Sequence, residues 1–164
     1  MLSVDSNHHL KSITNPDAGE YNFLYTTGGL LTRKIEPNLN TYNYVYNANG
    51  RITETYDENG GQWLFGRLTD ENSTIFSAVT TGEGNTTTYK DDYSSSGEYI
   101  SEITDPAGDK TYFTQSEDGL SAQKELSCGT TYDFKYGVDP EYKYDFLREI
   151  IESTPSGNSV KVFL

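Results

Sequence analysis

Hydrophobic and polar residues alternate along most of this chain, most clearly from Thr41 to Leu64. Tyr42, Tyr44 and Tyr46 occupy every second position, a turn follows at Asn47-Ala48-Asn49-Gly50, and Arg51 to Tyr56 is the next extended stretch. A second turn at Asp57-Glu58-Asn59-Gly60-Gly61 leads to Trp63 and Phe65, which restore the alternation. Aromatics at period two mark a strand with one buried face. Asn-Gly closes such a run because both residues accept the positive φ of a tight hairpin turn. The stretch therefore predicts strand, turn, strand, turn, strand.

The same pattern recurs along the chain. Gly19, Asn40 and Gly61 are 21 residues apart, and each precedes an alternating aromatic run: Tyr21/Phe23/Tyr25, Tyr42/Tyr44/Tyr46, Trp63/Phe65. Leu10, Leu31 and Ile52 each sit nine positions before an anchor. Further anchors at Gly84, Gly108, Gly129 and Gly157 lead Thr87/Tyr89, Thr111/Phe113, Tyr132/Phe134/Tyr136 and Val160/Val162/Leu164. The spacings of 21, 21, 23, 24, 21 and 28 residues describe seven tandem units, the signature of a repeat architecture. The fold class is all-β: an antiparallel sheet of tandem ~21-residue hairpins, roughly fourteen strands at most, curved or spiral because so wide a sheet twists.

Individual elements follow. Asp5-Ser6-Asn7-His8 is a turn before a strand from Leu10 to Thr14. Gly66 to Ser73 breaks the register, which predicts a bulge or longer loop. Ile75–Thr80 and Thr86–Asp91 form a hairpin around Gly82-Glu83-Gly84, Asp91 to Gly97 is a polar loop, and Tyr99–Thr104 is a strand. Residues 140–152 support two readings. Tyr142, Phe146 and Ile150 behind Asp139-Pro140 fit a short helix, while Tyr142, Tyr144 and Phe146 alternate as a strand would; strand is preferred. The clipped first unit and the apolar run Val160 to Leu164 predict a segment of a longer array, with Leu10–Thr14 and Val160–Leu164 as open edges.

Tyr46-Asn47-Ala48-Asn49-Gly50-Arg51-Ile52 resembles the Tyr-Asp-x-x-Gly-Arg-Leu core of the RHS or YD-repeat family. Asp105-Pro106-Ala107-Gly108-Asp109-Lys110-Thr111 and Gly84-Asn85-Thr86-Thr87-Thr88-Tyr89 are similar to the second half of that repeat. The chain departs from it where the Asp after Tyr is Thr26 or Asn47, and where Gln115-Ser116 replaces the pair. The resemblance implies that residues 1–164 are one YD-repeat-like β domain, part of a shell wall in a secreted or cell-surface, toxin-associated protein. Its implied partners are neighbouring repeats of a longer chain or an encapsulated C-terminal domain.

Composition narrows the function. The apolar share is 34% and leans on 14 Tyr and 7 Phe, rings that suit a thin sheet with a half-covered face. The net charge is −13, and residues 91–145 hold 13 acids against 4 bases. Nucleic-acid binding requires a basic face, so that class is excluded. No run is long and apolar enough for a membrane span. Cys128 is alone, which precludes an internal disulfide, and is expected to be partly buried beside its turn. Sequons at Asn72 and Asn85 fall in turns and matter only in a secretory host.

Candidate chemistry is sparse. His8 and His9 align with Gly29/Gly50 and Leu30/Arg51, so they are turn residues and not acid-base catalysts. Asp17-Ala18-Gly19-Glu20, Asp57-Glu58-Asn59-Gly60 and Asp105 to Asp109 lack the acid spacing of a calcium loop, and turn chemistry accounts for them. No zinc spacing and no phosphate-cradling loop is present. The reading is a non-enzymatic structural scaffold with no cofactor and no metal site. The alternative is a carbohydrate- or protein-binding module that uses exposed rings, with Tyr42, Tyr44, Trp63 and Phe65 as the candidate binding residues and a glycan or surface protein as partner.

Overall fold

A computed structural model describes all residues, Met1–Leu164, and contains strands and turns with no helix. The strands are β1 (Leu2–Val4), β2 (Leu10–Thr14), β3 (Glu20–Tyr25), β4 (Leu31–Ile35), β5 (Thr41–Tyr46), β6 (Ile52–Asp57), β7 (Gln62–Thr69) and β8 (Ile75–Thr81). They continue as β9 (Thr86–Tyr93), β10 (Tyr99–Thr104), β11 (Lys110–Gln115), β12 (Ser121–Glu125), β13 (Thr131–Val138), β14 (Asp145–Ser153) and β15 (Ser159–Phe163). These 15 strands lie in one open antiparallel sheet in strict chain order. The contacts divide into two compact units, residues 1–66 with 79–85, and residues 67–78 with 86–164.

One local rule builds nearly every turn. In twelve of the fourteen hairpins the first turn residue donates its N–H to the carbonyl four residues on and accepts from the N–H three residues on. At Asn47, for example, these bonds are 2.9 Å to Arg51 and 3.0 Å from Gly50. This is a type I turn followed by a residue in the left-handed region, the bulged three-residue hairpin. The left-handed residue is glycine in most cases, as at Gly50 (φ 73°) and Gly108 (φ 90°), because a Cβ is disfavoured there. His8, Ala18, Leu39 and Ser73 hold the same place with positive φ. Asp5, Asn47, Asp57, Asp70 and Asp105 open their turns with Oδ1 accepting two further backbone N–H groups at 2.8–3.1 Å. Asp, Asn and Gly recur in the repeat for that reason.

The tyrosine of the repeat has its own task. Tyr46 Oη donates to the Leu31 carbonyl at 2.8 Å, and Tyr25 Oη donates to the Leu10 carbonyl at 3.0 Å, each reaching across to the adjacent strand. Both tyrosines end their strands where the ladder slips by one residue, between Val45 and Tyr46 and between Leu24 and Tyr25. A bulge disrupts the ladder locally. The hydroxyl supplies a donor near each bulge.

Register sorts the residues into two faces in each unit. In the first unit Phe23, Lys34, Tyr42 and Asp57 lie opposite one another in a row, and Tyr44, Thr55 and Trp63 form the next row on the same face. The reverse face carries Leu24, Arg33, Asn43, Tyr56 and Gln62. There Arg33 Nε donates to the buried Asn43 Oδ1 at 2.8 Å. In the second unit Gln115, Ala122, Phe134, Ile150 and Val162 share one row, and the reverse face holds Lys135 and Glu149. Glu149 is buried between Lys135 and Lys161, at 3.0 and 2.7 Å. Ala122 is the sole buried hydrophobic residue. Neither unit has a conventional core.

The structure corrects several expectations. Gly66 to Thr69 continues β7 and the turn begins only at Asp70, because an eight-residue strand absorbs the extra length. Asp91, Asp92 and Tyr93 belong to β9, paired with Ser101, Ile100 and Tyr99, and do not form a loop. The short β1 is a fifteenth strand beyond the fourteen expected at most, and because it pairs with Leu10–Thr14 that strand is not an edge. Cys128 is exposed at its turn. Residues 145–152 are strand, as preferred, but Tyr142 and Tyr144 lie in the turn from Asp139 to Tyr144, with rings stacked at 6.1 Å, and do not alternate along a strand.

Candidate functional site

Tyr42, Tyr44 and Trp63 come together on the aromatic face of the first unit. Strand parity puts all three on one side of the sheet, and the two hairpins from β5 to β7 bring Trp63 to within two strands of Tyr44. With Thr55, Tyr56, Asp57 and Gly61 they line a depression of about 290 Å³. Thr55 sits between Tyr44 and Trp63 in the ladder, and its small side chain leaves a slot between the rings. Trp63 is 50% exposed and Tyr42 38% exposed, while Tyr44 is half-buried. Phe65 shares the parity of Trp63 but does not line the depression.

The surroundings orient these rings. Lys34 Nζ lies 5.2 Å from the centre of the Tyr42 ring and 5.6 Å from that of Tyr21, a cation–π bracket on the side of Tyr42 facing β4. Its ion pair with Glu36 at 2.7 Å holds the Lys34 ammonium above its usual pKa, so it stays charged. Asp57 uses Oδ1 to cap the N–H groups of Asn59 and Gly61, so its carboxylate is fixed at the end of the slot. Thr55 and Asp57 were not among the residues expected here. Counting register through the two hairpins finds them; the aromatic pattern does not.

Other groups are already satisfied. His8 lies in its turn with positive φ, and His9 packs its ring 4.8 Å from Tyr25 while Nδ1 lies 3.5 Å from Asp5. In the second unit a depression of about 300 Å³ is lined by Gln123, Asp133 and Phe134 among others, yet Gln123 donates to Asp133 at 2.7 Å across it. Tyr93, Tyr99 and Phe113 form a ring ladder at 5.5 and 6.2 Å. The Asp91 carboxylate accepts from Tyr99 Oη at 2.7 Å and raises its pKa. No group of three or more His, Cys, Asp or Glu side chains is placed to hold a metal ion, and no helix is long and apolar enough to cross a membrane.

Comparison with known proteins returned a family and a set of distantly similar structures. The TCP10 domain of Danio rerio CPAP, solved as a point mutant, aligns over 100% of this chain and 99% of its own, at 13% identity and a TM-score of 0.26. Likeness that weak carries no argument about fold or function. No curated protein matches. Residues 1–126 match the Teneurin YD-shell family, and this chain belongs to that family.

Proposed function

We propose that this chain is a length of wall in a YD-repeat shell, a non-catalytic scaffold of a secreted or cell-surface protein, with residues 1–164 one stretch of a longer array. One observation carries the reading: a fifteen-stranded sheet buries a single apolar residue, Ala122. Such a sheet is held by its ladders and turns, and its half-exposed rings are available to be covered by neighbouring repeats or by an enclosed domain. Repeats that contact only their neighbours suit that task, since length adds wall without altering the units. Membership of the YD-shell family supports an extracellular or cell-surface setting, and the acidic balance keeps such a surface soluble.

Trp63 is the sole tryptophan and reports on this face. In the longest natural form of the protein its emission should be blue-shifted and its quenching by acrylamide severalfold weaker than in this chain. Equal quenching in both forms would overturn the scaffold reading. A second reading, a module binding a carbohydrate or a protein partner, is favoured by the meeting of Tyr42, Tyr44 and Trp63 around one depression.

A further inference from the structure

We infer that the slot between β5 and β7 is a docking groove for an extended proline-rich segment with a basic flank; the inference rests on the ligand-binding reading above. The walls are Tyr42 and Tyr44 on β5 and Trp63 on β7, and the floor is Thr55 on β6. Strands two apart are separated by about 9.6 Å, twice the ~4.8 Å spacing of neighbours. Flat rings in contact sit ~4.5–7 Å apart, so the slot takes one intervening ring and no more. A pyrrolidine ring has the right thickness and matches the apolar walls. Along the strand Tyr42 and Tyr44 are ~6.8 Å apart, close to the ~6.2 Å rise of two residues in a polyproline helix.

Chemistry at the slot separates this occupant from a sugar. A pyranose carries several hydroxyls that need partners, whereas the walls are rings. Apart from the tyrosine hydroxyls, the polar side chains lining the slot are Thr55 and Asp57, and the carboxylate already spends Oδ1 on Asn59 and Gly61. A polyproline segment has few donors to satisfy and loses little conformational freedom on docking, the basis of aromatic-groove recognition. Charge sets the flank. Asp57 closes one end of the slot, and residues 1–66 hold 7 acids against 4 bases. A Lys or Arg following the prolines meets the Asp57 carboxylate, while an acidic flank is repelled.

Trp63 emission tests this directly, titrated with three probes: octaproline followed by Arg-Lys, a Gly-Ser peptide of equal length and charge, and cellohexaose. The octaproline probe should give a saturable blue shift at millimolar concentration or below, and the other two none. Trp63 is lost as a reporter in Trp63→Ala, so binding there is read by isothermal titration and should fall at least tenfold. Thr55→Phe fills the floor and should abolish binding with the β-sheet dichroism retained, which separates a blocked groove from a misfolded chain. Val45→Ala, on the reverse face, should leave the affinity unchanged. Saturation by cellohexaose but not octaproline would overturn the peptide class while leaving a binding face. An equal response to the Gly-Ser peptide would overturn it also. Silence with all three probes would overturn both the groove and the ligand-binding reading.

Discussion

The hydroxyl of the repeat tyrosine should be worth a measurable share of stability in a sheet that has no core to fall back on. Tyr46→Phe keeps the ring and deletes one atom, the oxygen that donates to the Leu31 carbonyl at 2.8 Å. A net intramolecular hydrogen bond contributes about 0.5–1.5 kcal/mol. Because the ring remains and the half-buried carbonyl keeps some access to water, the expected loss is about 1 kcal/mol. Tyr25→Phe removes the equivalent bond to Leu10 at 3.0 Å and should cost the same. The two hydroxyls donate to different carbonyls, so the double substitution should lose about 2 kcal/mol, with any departure from additivity traced to Leu31, which lies opposite Tyr25 in the ladder. Tyr93 ends β9 as Tyr25 and Tyr46 end theirs, but it is 72% exposed, so Tyr93→Phe should stay within ~0.5 kcal/mol of the parent. Urea unfolding followed by far-UV circular dichroism measures all four variants, with the slope unchanged because the buried area is unchanged. A double variant within ~0.5 kcal/mol of the parent, or a Tyr93→Phe loss equal to that of Tyr46→Phe, would refute the reasoning.

Three further outcomes follow from the geometry. At the left-handed turn position Gly108→Ala meets no atom within 4 Å, so its cost is backbone strain alone, about 1 kcal/mol; Leu39→Gly, relieving a leucine at φ 71°, should be neutral to stabilising by up to ~1 kcal/mol, both read by urea midpoints. Glu149 is held below the ordinary carboxylate pKa of 4.5 by its bonds to Lys161 and then Lys135. A depressed folded pKa adds stability above the unfolded value that is lost as pH falls through the folded one, so the urea midpoint should drop below about pH 4.5, and Glu149→Gln should flatten that drop. Val160, Val162 and Phe163 are exposed on β15, an edge strand; Val162→Lys should reduce concentration-dependent association measured by analytical ultracentrifugation.

Much of this architecture is legible in the sequence because each element is local. The 21-residue spacing of Gly19, Asn40 and Gly61 recurs because each is the last residue of a bulged turn. The aromatic rows recur because side-chain parity resets at every hairpin. Where reading failed, a local signal was outweighed by pairing. Gly66 looks like a breaker, yet it lies inside the eight-residue β7. Asp91-Asp92 looks like a polar loop, yet Ile100 and Ser101 opposite hold it in β9. The partner of the Tyr46 hydroxyl is a backbone carbonyl 15 residues earlier, which no side-chain pattern announces. At the candidate site the rings Tyr42, Tyr44 and Trp63 were visible as a comb. The spacer Thr55 emerges only once the register is known, and Phe65 drops out because the depression is centred on the Thr55 row.

Every strand after β1 pairs with the strand just before it in the chain. The loops that must close during folding are therefore all short, and the entropy lost in closing them rises only slowly with length. A β protein normally folds slowly because its pairings are distant in sequence; here the topology removes that barrier. Synthesis also proceeds in pairing order, so each strand leaving the ribosome finds its template already in place. A hairpin pair duplicated or deleted in the gene would leave every other pairing intact. The same chain order that lets the sheet assemble from the N-terminus onward thus leaves its length free to change one hairpin at a time, and each unit free to differ in length, as the anchor spacings of 21 to 28 residues do.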